Sequence, residues 1–415
     1  MQASAADKPA IAGGKPAKTK PYAHQPRYGD EEITELKEAI AQGTLFYAGG
    51  KKVKSLEKSF AEKHGAKFGV ACSSGTAAIH SATMAAGISP GDEVIVPPIT
   101  DMGTILPVMW QGAVPIFCDL DPHTYNMTAQ TIEEKITDRT RAIIAVHLAG
   151  NPCDLRAIQQ IADKRKIILI EDCAQAHGTK YDGKPVGSFG HIGCYSFNEY
   201  KHISTGDGGM ITTSDAELAA KLRLATDKAY DRSPGVAIRD PKFMANNYRM
   251  TELQGAVGLA QLRKLDAIIQ RRNSWGTRLT DRLKPLESMG LSMPAVTPGG
   301  THTYWFCMMR VDKEKLGAST DDFTAAVKAE GVPVSAHYIT RPIYKYPLFV
   351  NHSAFERGDH PYKRVNYTQV RCENAEAILD TCVIMPVNEV YDDQDLEQTA
   401  KAFERVVAHF QSTKR

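Results

Sequence analysis

Short apolar segments alternate with helical patterns over roughly the first two thirds of the chain. Compact apolar runs bounded by turn-forming residues occur in EVIVPP (93–98), VPIFCDL (114–120), RAIIAVHLAG (141–150) and KIILIEDCA (166–174). Such runs are typical of strands buried on both faces of a parallel sheet. The stretches EITELKEAIAQG (32–43) and KVKSLEKSFAEKHG (52–65) repeat apolar residues at helical spacing and end at glycine. The alternation predicts an α/β domain with a mainly parallel central sheet flanked by helices.

A long helix and a second, smaller domain are predicted in the rest of the chain. The segment 251–272 has an apolar face, and Thr251 with Gln254 fits a capping box at its start. After Pro285 the composition changes to a linker at 293–302, a strand at 304–311 and helices at 320–331 and 392–410. We therefore expect a mobile N-terminal arm at 1–24, a large α/β domain at 25–285 and a small α+β domain at 286–415.

Composition excludes several classes of function. The 415 residues carry a net charge of +2, which is not the basic excess of a protein that binds nucleic acid through electrostatics. No apolar run is long enough to span a membrane, and the N-terminal segment lacks the apolar core of a secretory signal. The eight cysteines are scattered without a C-x-x-C pair, so we expect buried free thiols and no metal site. A cytoplasmic protein is predicted.

Ligands of open parallel sheets bind at the carboxyl ends of the strands, so the residues that follow each apolar run are the first candidates for a binding site. Gly75 and Thr76 precede an alanine-rich helical stretch, where free N–H groups and the helix dipole can bind a phosphate. Small residues at a helix start are also common for packing alone. Ser196 follows the run IGCY, and its hydroxyl is expected near the same phosphate.

Asp172 ends another predicted strand, and Gln175 follows three residues later. A carboxylate there can hold a protonated ring nitrogen, and a carboxamide can donate to a phenolate oxygen; a helix-capping aspartate is the alternative. Lys201 lies in SFNEYKHISTGDGGM (196–210), which otherwise reads as a polar surface turn. Together these residues meet the demands of pyridoxal 5'-phosphate, with Lys201 forming the Schiff base and Asp172 keeping the ring nitrogen protonated.

At this point the chain resembles the DegT/DnrJ-type sugar aminotransferases, a family of fold type I enzymes similar to aspartate aminotransferase. The resemblance covers about residues 25–410 and runs in order through SSGTAA, GDEVIVPP, VHLAGNPCDL, EDCAQAHG, VGSFGHIGCYSF, KHISTGDGGMI and NYRMTELQGAVGLAQL. It implies catalytic roles for Lys201 and Asp172. The residues that it implies for cofactor binding are Gly75, Thr76, Asp172, Gln175, Ser196, Lys201 and Asn247. Asn247 matches a residue that reaches the phosphate of the neighbouring subunit, which implies a homodimer with shared active sites.

The implied reaction moves an amino group from glutamate or glutamine to a keto sugar, linked to a nucleotide, or to a keto-cyclitol. Two readings within the family stay open: a sugar dehydratase, although such relatives carry histidine in place of Lys201, and an enzyme that forms an aromatic amine by dehydration. A regulatory protein without catalysis is the third alternative.

Candidate substrate contacts come from a departure and from the second domain. Asp101 stands where the family usually has an aromatic residue stacked on the cofactor, which puts the substrate class in question. The segment AHYITRPIYKYPLF (336–349) contains His337, Tyr338 and Arg341. The Arg341 guanidinium could bind a carboxylate or phosphate through two hydrogen bonds.

Overall fold

The structure, a computed structural model, describes residues 8–233, 235–236, 239–358 and 361–414. Its helices are α1 (Asp30–Ala41), α2 (Lys52–Lys63), α3 (Gly75–Ala85), α4 (Met102–Trp110), α5 (Ala129–Glu133), α6 (Leu155–Arg165), α7 (Ala216–Thr226), α8 (Glu252–Leu283), α9 (Lys313–Leu316), α10 (Thr320–Ala329), α11 (Pro347–Val350), α12 (Glu373–Thr381) and α13 (Asp393–Thr413). Its strands are β1 (Phe68–Cys72), β2 (Glu93–Val96), β3 (Val114–Phe117), β4 (Thr140–Val146), β5 (Ile168–Asp172), β6 (Lys180–Tyr181), β7 (Lys184–Pro185), β8 (Ile192–Ser196), β9 (Gly209–Thr213), β10 (Leu291–Ser292), β11 (Phe306–Val311), β12 (Ser335–Ala336) and β13 (Cys382–Pro386).

Within the described residues, seven strands form the large sheet in the order β1-β9-β8-β5-β4-β2-β3. Strand β9 is antiparallel to both its neighbours, and the other pairs are parallel. The buried apolar side chains of β2, β4 and β5 form the centre of the main core. The α/β fold with a mainly parallel sheet, flanked by helices, is therefore confirmed.

A second sheet of four antiparallel strands, β10-β11-β13-β12, follows in the chain. Its core includes side chains of α8, α10 and α13, among them Trp275, Phe323 and Phe403. Helix α8 begins at the predicted capping box, in which Thr251 Oγ1 accepts a hydrogen bond from the Gln254 N–H. The helix runs eleven residues beyond the segment in which the sequence predicted it, and its C-terminal half packs in this second core.

The segment between β12 and α12 packs back onto the large sheet. Its buried aromatic residues include Tyr362 and Tyr367, whose hydroxyl groups donate to the backbone oxygens of Met109 and Pro115. The predicted boundary between domains at residue 285 remains a prediction. Side chains on both sides of that position contribute to the main core.

Residues 1–7 of the predicted N-terminal arm lie outside the described residues. The rest of the arm lies against the second sheet's helices. The buried Lys18 amine is 3.0 Å from a carboxylate oxygen of the buried Asp395 in α13, and Ala10 and Ala17 donate backbone hydrogen bonds to Glu330. The mobility of this arm stays a prediction.

No helix among the described residues is long and apolar enough to cross a membrane.

Candidate active site

Three strand ends place several of the predicted site residues at one edge of the large sheet. Strand β5 ends at Asp172, β8 ends at Ser196, and β1 leads into α3, which begins at Gly75. Because these strands are parallel, their carboxyl ends meet at one edge. A cavity of about 240 Å³ lies there. Its lining residues are Ser74, Gly75, Thr76, Ile79, Asp101, Gly103, Thr104, Asp172, Ala174, Ser196, Asn198, Lys201 and Asp207.

The start of α3 forms one wall of the cavity. Ser74 caps the helix, and its hydroxyl accepts a hydrogen bond of 3.0 Å from the Ala77 N–H. The N–H groups of Gly75 and Thr76 lie in the first turn, where a helix provides no acceptor for them. A Cβ atom on Gly75 would lie 2.7 Å from the Ser196 Cβ, so glycine permits the close approach of α3 and the end of β8. These N–H groups and the Ser196 hydroxyl suit an anion such as phosphate.

Asp172 is buried at the cavity floor, with 4% of its surface exposed. The Thr104 hydroxyl donates to Oδ2 at 2.8 Å, and the Ala174 N–H donates to Oδ1 at 3.0 Å. Burial raises the pKa of Asp172 above its ordinary value, while these two hydrogen bonds and the positive charge of Lys201 act to lower it. Each carboxylate oxygen retains lone-pair capacity, which a cationic ring N–H can use.

Lys201 lies in the loop that follows β8, and its Nζ atom is 3.8 Å from the centroid of the Trp305 ring. Within the described residues this amine makes no hydrogen bond and no ion pair. Burial lowers the pKa of Lys201 to about 8, and the negative charges of Asp172 and Asp101 oppose this effect. Near neutral pH a fraction of the amine is therefore uncharged, as a nucleophile and proton acceptor must be.

Gln175 is held beside the cavity without lining it. Its Oε1 atom accepts from the Ala149 N–H at 2.8 Å, and its Nε2 donates to the Tyr338 hydroxyl at 3.3 Å. Burial raises the pKa of Tyr338 well above its ordinary value, so this hydroxyl stays protonated. Gln175 therefore lies beside the cavity, and Tyr338, from the 336–349 segment, lies close to Gln175.

Asp101 lines the cavity and caps α4, because its Oδ1 accepts a hydrogen bond of 2.7 Å from the Gly103 N–H. The structure does not bring the other predicted substrate residues to this cavity. The His337 ring contacts the backbone oxygen of Leu379 at 2.7 Å. Arg341 is exposed and lies outside the lining residues.

Asn247, predicted to reach the phosphate of a neighbouring subunit, is exposed and also lies outside the cavity of its own chain. Its backbone pairs with Asp227 in an isolated β-bridge.

Sequence reasoning does not select several residues of the site, among them Thr104 and Trp305, which contact the two predicted catalytic residues. Thr104 lies three residues after Asp101, in the same TDMGT segment, and its position in the first turn of the helix that follows β2 is the available signal. Trp305 had been assigned to a strand within YWFCMMRV, whereas β11 begins one residue later. Its position next to Lys201 depends on the packing of the second sheet and has no local signal.

Pyridoxal 5'-phosphate fits this set of side chains. Among the residues that the structure describes, the amine of Lys201 makes no hydrogen bond. The carboxylate of Asp172 is buried with capacity for a cationic partner, and the first turn of α3 presents its N–H groups to a phosphate. An amine, a carboxylate and an anion site around one cavity match the aldehyde, ring nitrogen and phosphate of this cofactor.

A mainly parallel α/β sheet with this set of groups at its carboxyl edge defines a fold type I enzyme dependent on pyridoxal phosphate. The chain belongs to the DegT/DnrJ/EryC1/StrS aminotransferase family, whose sequence profile matches residues 26–404.

Individual relatives agree with this assignment. The chain is 38% identical to a GDP-perosamine synthase of Caulobacter vibrioides over 72% of this chain and 78% of the relative. It superimposes on an aminotransferase of Psychrobacter cryohalolentis with a TM-score of 0.84 and 30% identity, over 94% of this chain and all of the other (100%). A 3-amino-5-hydroxybenzoic acid synthase is similar with a TM-score of 0.82 and 28% identity, over 94% and 99% of the two chains.

The family membership confirms two predictions. The protein is an aminotransferase, and its cofactor is pyridoxal 5'-phosphate. The family acts in the biosynthesis of amino sugars, which confirms the reaction class at that level.

Proposed function

We propose that this enzyme transfers an amino group from glutamate or glutamine to a keto sugar linked to a nucleotide, or to a keto-cyclitol. The observation that carries the proposal is the convergence of Lys201, Asp172 and the start of α3 on one cavity. The similarity to a GDP-perosamine synthase supports a nucleotide-linked sugar as the acceptor.

The residues of the chain divide the work of this reaction. When bound, the cofactor supplies an electron sink for the carbanion that forms at the α-carbon of the amino donor. Gly75, Thr76 and Ser196 would hold its phosphate, and the carboxylate of Asp172 would keep its ring nitrogen protonated. Lys201 would hold its aldehyde carbon and, once displaced by the donor, carry the proton at Nζ. The lowered pKa of Lys201, about 8, suits an amine that must both accept and return a proton.

The first test is spectroscopic. Purified enzyme loaded with pyridoxal phosphate is mixed with L-glutamate or L-glutamine, and its absorbance is followed. We expect one donor to convert the bound cofactor from the aldehyde to the amine form, and a keto sugar nucleotide or keto-cyclitol to reverse the change. If neither donor changes the spectrum, the proposed donor class is wrong. If product analysis shows loss of water and an aromatic amine, the alternative reaction is correct.

A pair of variants separates catalysis from folding. Lys201→Ala should abolish the spectral conversion with either donor, and Lys184→Ala, at an exposed lysine in β7, should leave it unchanged. Near-normal turnover by Lys201→Ala would refute the assignment of this lysine.

We further propose a homodimer in which Asn247 of one chain completes the phosphate site of the other. The exposed position of Asn247, outside its own cavity, supports this arrangement. Lys201→Ala and Asn247→Ala should each be nearly inactive alone. After subunit exchange, an equal mixture should regain about one quarter of the wild-type activity, because half of the dimers are mixed and each contains one intact site. A mixture that stays inactive although exchange has occurred, or a fully active monomer, would refute the shared site.

A further inference from the structure

Trp305 makes three separate contacts around the Lys201 loop. Its backbone N–H donates to the Ala149 oxygen at 2.9 Å. Its indole N–H donates to the backbone oxygen of Tyr200 at 2.7 Å, one residue before Lys201. The face of its ring lies 3.8 Å from the Lys201 Nζ atom. One side chain at the start of β11 therefore contacts both the backbone and the amine of the lysine loop.

The Ala149 contact links Trp305 to the residues on the other side of the cofactor site. The N–H of Ala149 donates to Gln175, and Ala149 itself has a positive φ of 58° in the turn after β4. This short turn is therefore fixed between Gln175 on one side and Trp305 on the other. The backbone of Trp305 is therefore fixed by its bond to Ala149, and its ring is oriented by the bond from the indole N–H to the Tyr200 oxygen; neither bond uses the Lys201 amine.

The effect of the Trp305 ring on the charge of Lys201 depends on the other charged and titratable groups around the amine. Asp172, at the end of β5, and Asp101, at the start of α4, favour the charged amine, whereas burial disfavours it. His177 and His202 also lie close enough to interact with Lys201, but burial lowers the pKa of each well below its ordinary value, so both rings are neutral near neutral pH. An aromatic face attracts an ammonium group, and this attraction is stronger where water is excluded.

We propose that Trp305 is a positioning residue for Lys201: its indole N–H fixes the peptide before the lysine, and its ring holds the ammonium group whenever the amine is not bonded to the cofactor. This inference rests on the role of Lys201 proposed above. It gives the residue that immediately precedes β11 an indirect part in the reaction, through Lys201. The ring would give the displaced lysine a defined position from which it can return its proton.

The test uses full-length enzyme loaded with pyridoxamine 5'-phosphate, a form of the cofactor that leaves the lysine amine free. The rate at which acetic anhydride modifies Lys201 is measured against pH by peptide mass spectrometry, which gives the apparent pKa of the amine without any turnover. Loss of the aromatic face removes a contact that favours the charged amine. We therefore expect the apparent pKa in Trp305→Leu to fall by about one pH unit relative to the wild type.

Two further variants separate the contacts of the ring from general destabilisation. Trp305→Phe keeps an aromatic face but loses the N–H donor, so its apparent pKa should fall less than that of Trp305→Leu. Trp275→Leu removes a buried tryptophan of the second core, whose N–H donates to the Asp392 oxygen, and should leave the pKa unchanged. An unchanged pKa in Trp305→Leu, or an equal shift in Trp275→Leu, would overturn the proposal.

A kinetic measurement completes the test. In Trp305→Leu, kcat with the amino donor should fall about tenfold, because Lys201, which carries the proton, is no longer held in position. The KM for the donor should change little. A change confined to KM would contradict the positioning role. Failure of this inference and failure of the proposed function can be told apart: continued turnover by Lys201→Ala would refute the proposed function, whereas the acylation data report the contact between Trp305 and the amine.

Discussion

Replacing Thr104 by valine removes one hydroxyl group at nearly constant volume, at the point where the enzyme controls the charge of Asp172. The hydroxyl donates to Asp172 Oδ2 at 2.8 Å, and both residues are almost completely buried. A hydrogen bond to a charged group of this kind contributes ~1.5–3 kcal/mol, and because the hydroxyl binds the ionised form more strongly, this corresponds to about one to two pH units.

The direction of the change follows from the structure. Burial already raises the pKa of Asp172, and loss of the Thr104 hydroxyl raises it further because one donor to the carboxylate disappears. Tight cofactor binding requires an ionised Asp172. Binding is therefore strongest at a pH above the pKa of Asp172, and it weakens as the pH falls below that pKa. In Thr104→Val the midpoint of this loss should therefore move to higher pH.

The assay is the dissociation constant of pyridoxal phosphate, measured by absorbance from the acidic to the neutral range. Thr104→Ser retains a hydroxyl and should behave much like the wild type. The Thr100 hydroxyl, 2.8 Å from the Thr104 hydroxyl, loses a partner in the valine variant, and Thr100→Val serves as the control for that secondary effect. If Thr104→Val and the wild type show the same affinity and the same midpoint, Thr104 does not control the charge of Asp172.

Two further predictions concern the cofactor cradle and the N-terminal segment. Gly75→Ala should weaken cofactor binding about five- to 150-fold, because an overpacked site costs ~1–3 kcal/mol and the new Cβ would lie 2.7 Å from the Ser196 Cβ. Gly29→Ala, where a Cβ meets nothing within 4 Å, is the matched control, and equal affinities of Gly75→Ala and the wild type would refute the steric argument. Lys18→Met leaves the buried Asp395 without its positively charged partner and should lower the free energy of unfolding, measured in urea, by about 3–5 kcal/mol. Combining Lys18→Met with Asp395→Asn should recover much of that loss. An unchanged stability of the single variant would show that the segment is not docked in solution.

The main features of the site followed from the sequence because they depend on strand order and strand ends. Runs of apolar residues identified β2 to β5, and the parallel arrangement placed Asp172 and Ser196 at one edge. The capping box located the start of α8 for a similar reason, since its residues lie within four positions of each other. Such features are local, or follow from a general rule for parallel sheets.

Contacts between distant parts of the chain were beyond the reach of the same reasoning. Trp305 and Lys201 are 104 positions apart, and their contact depends on how the second sheet packs against the first. The positions of His337 and Arg341 could not be predicted either, because a chemically suitable residue type does not reveal the direction of its side chain. The sequence does not predict the last eleven residues of α8 (273–283), whose apolar side chains Trp275, Leu279 and Leu283 pack in the second core and not in the main core.

Helix α8 also has a mechanical consequence. Its 32 residues correspond to about 48 Å of continuous helix, with one end beside the large sheet and the other in the core of the small sheet. Such a rod transmits displacement along its length, so the two sheets cannot rotate apart without bending it or breaking contacts at one end. A chain truncated after residue 285 would expose Trp275, Leu279 and Leu283 to solvent, and the large part expressed alone should aggregate.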